Sequence, residues 1–180
     1  MIMPTPPQSR LFLAVWPPPE VVADLAALPR PERPGLRWTP AAQWHMTLRF
    51  FGDAEVEEAR AVSGSALGAA ALAGPVVARL GPEVGRYGHR VLQVPVGGLE
   101  PLAAVFIPAT AGVGRPPERR PFSGHLTLAR QRGRGSLSEL VGTRIAGSWR
   151  VGEVTLVASV PAGRPGMANR YEVVESYPLS

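Results

Sequence analysis

The chain has no cysteine and no lysine, and it has no apolar run long enough to cross a bilayer. Without cysteine there are no disulfides, no thiolate nucleophile and no cysteine-held zinc. A membrane-spanning helix, which needs about 20 consecutive apolar residues, is excluded as well. The first apolar stretch, Leu11 to Trp16, is too short for the core of a secretory signal, and no small-residue cleavage pattern follows it. A cytoplasmic protein without membrane association is expected. The missing lysine leaves 19 basic residues, all arginine, against 14 acidic ones, for a net charge of +5. Read plainly, this is the coding bias of a chain rich in Arg, Ala, Gly and Pro. One local feature stands apart from that bias. Arg115, Arg119, Arg120, Arg130, Arg132 and Arg134 fall within twenty residues, and arginine forks match the geometry of phosphate.

What is present suits a single α+β domain over residues 1–180, since 45% of the residues are apolar. An internal repeat organises it. Arg10-Leu-Phe-Leu-Ala-Val15 is followed, 35 residues after Arg10, by His45-Met-Thr-Leu48; Arg90-Val-Leu-Gln-Val-Pro95 is followed, 35 residues after Arg90, by His125-Leu-Thr-Leu128. Two matches in register predict a duplicated unit of 80 residues and a bilobal, pseudo-twofold fold. In it, two mixed or antiparallel sheets line a central cleft, with helices outside. The spacing predicts strands over 10–16, 45–51, 76–80, 90–96, 122–130, 151–160 and 171–177. It predicts helices over 20–28, 54–73 and 99–106, the last ended by Pro108, and a helix capped by Ser136 running to Ile145. The loop Pro161 to Asn169 joins the last two strands.

Side chains alternate along a strand, so His45 and Thr47 share one face and His125 and Thr127 share another, each pair roughly 7 Å apart. Met46, Leu48, Leu126 and Leu128 are left to pack against a core. Alternation also puts Arg49 on the His45 face and turns Arg130 away from the His125 face. Two imidazoles flanking one phosphodiester suit in-line displacement: a neutral ring takes a proton from the attacking group and a protonated ring gives one to the leaving oxygen. An ordinary pKa near 6.5 allows both forms near neutrality. A lone strand histidine is commonly structural; two copies of His-x-Thr-Leu at matched positions are not explained that way. His89, with no second copy, reads as a loop or strand-edge residue. Metal-ligand spacings and phosphate-binding glycine loops are both missing.

The paired motifs, with Arg10 to Pro17, Arg37-Trp-Thr-Pro40, Trp44 to Gly52, Pro121 to Arg130 and the closing Glu153 to Ser159 and Tyr171 to Glu175, resemble the 2H phosphoesterases. The nearest resemblance is to their RNA 2′,3′-cyclic phosphodiesterase family, also called 2′-5′ RNA ligases. It implies hydrolysis of an RNA 2′,3′-cyclic phosphate end to a 2′-phosphate by a monomer, with no cofactor and no metal. It further implies that His45 is the proton donor, His125 the proton acceptor, and Thr47, Thr127 and Arg130 the phosphate-binding residues; for Arg130 the strand has to end or twist. Trp38, Phe50 and Phe51 are candidates to stack a base, or else to fill the core. Gly124 stands where the family often has proline, which predicts a looser approach to the second motif strand. The rival readings are a related enzyme acting on small cyclic nucleotides or on 2′-5′ linkages, including ligation, and an RNA-binding module without turnover.

Overall fold

The computed structural model describes residues 7–163 and 169–179, so most of the expected Pro161–Asn169 loop lies outside the described residues. Among them are ten strands and three α-helices, in the order β1 Gln8–Val15, α1 Pro19–Ala26, β2 Leu36–Trp38, β3 Met46–Glu55, α2 Val56–Leu72, β4 Val77–Leu80, β5 Gly85–Tyr87, β6 Val91–Gly97, α3 Glu100–Ala109, β7 His125–Gln131, β8 Gly147–Arg150, β9 Glu153–Val160 and β10 Arg170–Pro178. The class is α+β, as the alternation of strand and helix signals implies.

The sheet path runs β10-β9-β1-β3-β7-β6-β4-β8, with β2 added on β7 and β5 on β6. Every recorded pairing is antiparallel. β1 pairs with β3 and β6 with β7, so each motif strand lies beside the strand that opens its own repeat. Across the middle, β3 meets β7 at one recorded residue pair, Met46 opposite Leu126. Those two residues hold equivalent places in the two repeats. The duplication therefore appears as two curled half-sheets joined at a single point on a pseudo-twofold axis.

Burial explains the arrangement. Leu11 to Val15 are all buried because β1 is covered on both faces, and such strands read as continuous apolar runs. The main core takes Leu11, Leu13, Met46, Leu48, Leu126 and Leu128, with α1, α2 and α3 closing over it. α2 buries Val56, Ala59, Ser63, Ala66 and Ala70, a mostly small stripe at helical spacing that lets it lie close to its neighbours. On the other face of the first half-sheet a smaller cluster forms from Phe12, Ala14 and Val157, with Trp16, Phe50 and Tyr171 packed on it.

Several expectations change. No helix follows Ser136: residues 136–146 are turns and extended chain, and Leu137, Leu140 and Ile145 are each buried. Their backbone is bonded to the 82–84 segment, where Gly142 N–H donates to Val84 O at 2.8 Å and Ile145 N–H to Pro82 O at 3.0 Å. The Ser136 hydroxyl bonds only locally, to the N–H and the hydroxyl of Ser138. α3 runs past Phe106 to Ala109 with Pro108 inside it, because a proline in the last turn forfeits a single ladder bond. β3 continues through Gly52, whose φ of 67° permits an irregularity that an L side chain resists, so α2 starts at Val56 and not at Ala54. The expected strand 151–160 is β9, beginning at Glu153, and an additional short strand, β8, precedes it and lies at the far end of the path. Short β5 carries no apolar alternation by which to find it.

Candidate active site

Both motif strands carry the same β-bulge. Opposite β1, Thr47 pairs with Ala14 and Arg49 with Leu13, leaving Leu48 as the extra residue; opposite β6, Thr127 pairs with Gln93 and Ala129 with Leu92, leaving Leu128 extra. The burial patterns show the phase jump, with Leu48 and Arg49 both buried, then Leu128 and Ala129. A bulge reverses which residues face out beyond it. Arg130 is thereby turned to the same side as His125 and Thr127, which simple alternation does not predict. Phe50, its counterpart in the first half, faces the cleft as well.

Arg49 is the converse correction. It does not share the His45 face: it is 4% exposed and points under the sheet. Its guanidinium donates to the carbonyls of Phe50, Thr110, Val113 and Arg115. It also lies 5.0 Å from the Phe51 ring centroid, and burial lowers its pKa. This side chain ties the 110–115 segment to β3.

The two histidines are held alike. His45 Nδ1–H donates to Gln43 O at 2.7 Å and His125 Nδ1–H to Ser123 O at 2.9 Å, in each case two residues back. A carbonyl can only accept, so the Nδ1 proton is fixed in both rings and Nε2 is the nitrogen left for chemistry. His45 Nε2 lies 3.1 Å from Thr47 Oγ1. The His45 ring is packed by Phe12, Trp16 and Tyr171, with centroids 4.8, 5.4 and 5.3 Å away. Trp16 is anchored by donating Nε1–H to Thr155 Oγ1 at 2.7 Å. Burial in this aromatic box lowers the His45 pKa; the Gln43 carbonyl opposes it, and the charge of His125 lowers it further. Each imidazole is thus within electrostatic range of the other. The antiparallel Met46–Leu126 register places His45 on the Thr127 side of the joint and Thr47 on the His125 side.

A cleft of about 690 Å³ opens over this joint, lined by Thr47, His125, Thr127 and Arg130 among others. His45 is not among its lining residues but is bonded to Thr47, which is. Phe50 lines the cleft, whereas Phe51 is fully buried and Trp38 packs on the core, donating Nε1–H to Pro31 O. Of the arginine group, Arg115, Arg120 and Arg130 reach the cleft wall, and Arg119, Arg132 and Arg134 do not. Among the described residues no group of three His, Cys, Asp or Glu side chains could hold a metal ion, and His89 lies in the turn between β5 and β6. The aromatic box around His45 and the Gln93 side chain beside Thr127 escape the sequence reading; cross-strand register is the signal that finds them.

Gly124 corrects a further expectation. It is buried, its carbonyl accepts Val96 N–H at 2.9 Å, and an added Cβ would stand 2.2 Å from Val96 O. Glycine here tightens the approach to β7.

No family model and no curated protein matches this chain by sequence. Solved structures do match. TT0787 of Thermus thermophilus aligns with a TM-score of 0.75 and 28% identity over 94% of this chain and 97% of that one. A crystal structure described as a phosphoesterase aligns with a TM-score of 0.70 and 27% identity over 96% and 99%. E. coli LigT complexed with 3′-AMP aligns with a TM-score of 0.70 and 28% identity, again over 96% and 99%.

Proposed function

With membership of the 2H phosphoesterase superfamily as premise, we propose that this chain, acting as one domain, hydrolyses RNA 2′,3′-cyclic phosphate ends to 2′-phosphates with its two histidines. The observation that carries the reading is the matched pair of rings, each with its Nδ1 proton given to the carbonyl two residues before it, on strands that meet at one point. That arrangement serves proton transfer on both sides of a single phosphorus. LigT of E. coli has been captured with 3′-AMP, phosphate, NADP+ and ATP, and a relative that takes adenine nucleotides supports a nucleotide end as the substrate here.

In this reading His125 Nε2 accepts a proton from water as its oxygen attacks phosphorus, the bond to the 3′ oxygen breaks, and His45 Nε2–H protonates that oxygen. Thr47 and Thr127 donate hydroxyl hydrogens to the non-bridging oxygens, and Arg130 balances the developing charge. The burial that lowers the His45 pKa in the free protein does not oppose its role as donor. An incoming phosphodiester brings negative charge beside it and raises its pKa, so the substrate charges its own acid.

Incubation with an oligoribonucleotide ending in a 2′,3′-cyclic phosphate tests this. The expected product is the 2′-phosphate, formed undiminished in EDTA, with a loss of about 10²- to 10⁴-fold in His45→Ala and in His125→Ala. Full activity in either variant would end the acid–base assignment. Joining of ends through a 2′-5′ linkage would favour the ligation reading, and binding without turnover the RNA-binding one.

A further inference from the structure

The cleft continues past the histidine–threonine pairs, and its far end is built. Arg130 on β7 stands opposite Val91 on β6, and Val91 opposite Tyr87 on β5. The three form a row across the sheet leading away from the phosphate-binding residues, two strand spacings or about 10 Å long. All three line the cleft, and Arg115, Arg120 and Phe122 form the wall above them.

That wall is fixed in advance. Arg120 holds Tyr87 by donating to its hydroxyl while its guanidinium lies 5.1 Å from the ring centroid, and Glu118 balances its charge. Tyr87 nonetheless remains 55% exposed, so much of its ring is free to receive a planar group. Arg115 is placed by its backbone: its N–H donates to Phe51 O at 2.6 Å and its carbonyl accepts from the buried Arg49 guanidinium. Its own guanidinium is exposed and makes no salt bridge among the described residues. An unpaired cation and a held aromatic ring are what a single-stranded nucleotide asks for, answering its phosphate and its base in turn.

We propose that Tyr87 and Arg115 form a second subsite, which binds the nucleotide on the 5′ side of the cyclic phosphate and makes an RNA end, not a mononucleotide, the preferred substrate. The inference rests on the cyclic-phosphate reading of the site and extends it. Tyr87 carries the penultimate base and Arg115 the phosphate that joins it to the last nucleotide.

The test compares kcat/KM for a 2′,3′-cyclic mononucleotide with that for a dinucleotide ending in the same group. The wild type is expected to favour the dinucleotide by about tenfold or more, mainly through KM. Arg115→Ala and Tyr87→Ala should each bring that ratio down towards one; both residues are exposed, and melting curves verify that the fold is kept. Raised salt should erode the preference in the wild type and much less in Arg115→Ala. A wild-type ratio near one, or a ratio that survives both substitutions, overturns the subsite while leaving the reaction standing. No turnover of either compound by the wild type overturns the reaction and the subsite with it.

Discussion

Met46 stands opposite Leu126 at the joint between β3 and β7, each one position beyond its histidine and each fully buried. The two apolar side chains therefore set the relation of the two imidazoles. A histidine on one half-sheet cannot move towards or away from the other without disturbing a packed contact on the reverse side.

Truncating that contact should damage fold and activity together. Met46→Ala or Leu126→Ala is expected to cost about 2–5 kcal/mol, the range for emptying a core site. Leu126→Met, which conserves volume, should cost less than about 1.5 kcal/mol and keep most activity. Denaturant unfolding with parallel rate measurements checks both; loss of stability with turnover fully retained would show that the joint does not set the site.

The His45 titration has a predicted direction. In the free protein its imidazole should titrate below the ordinary 6.5, because burial and the charge of His125 both disfavour protonation. His125→Asn removes the second influence and should raise the midpoint, as should added phosphate; NMR titration of the ring protons reads both. The sign for stability follows. The unfolded chain binds the His45 proton more readily, so stability is intact above pH 6.5 and falls as pH drops through the folded-state midpoint. His45→Leu should flatten this acid-side loss, and an unchanged slope would mean that the ring is not shielded as described.

Arg49 predicts a structural defect with a functional echo. Arg49→Leu leaves the carbonyls of Thr110, Val113 and Arg115 without their shared donor, and a buried unsatisfied group costs about 1–3 kcal/mol. Lysine should rescue poorly, since one ammonium cannot span carbonyls that a planar fork reaches. Faster amide hydrogen exchange over residues 110–116 in Arg49→Leu is the expected mark, and exchange at the wild-type rate would remove Arg49 from this role.

Gly124 tests the close backbone approach. Gly124→Ala sets a Cβ against the Val96 carbonyl, so β6 and β7 must separate next to His125. A fall in thermal stability and in activity is expected, whereas the same substitution at Gly112, where nothing stands within 4 Å, should be nearly neutral.

The legible part of the fold is whatever repeats. The matched offset from Arg10 to His45 and from Arg90 to His125 foretells the two strand pairs, the pseudo-twofold axis and which leucines are buried, because period-2 patterning and duplication are both written locally. Simple alternation puts Arg130 and Arg49 on the wrong faces, since a bulge is fixed by the strand alongside and leaves no mark in the residues it displaces. The segment after Ser136 has a good capping residue and spaced apolar side chains, yet its hydrogen bonds go to residues 82–84, a long-range partner that outweighs local propensity. Likewise Trp16 and Tyr171, far apart along the chain, meet around His45 only because β1, β9 and β10 lie side by side.

The extra residue at Leu48 has its twin at Leu128, at the same step of each repeat. In each half it turns the next residue but one, Phe50 or Arg130, towards the cleft. Matched backbones with unmatched side chains give the cleft unequal walls, a ring on one side and a charge on the other, and with them a direction.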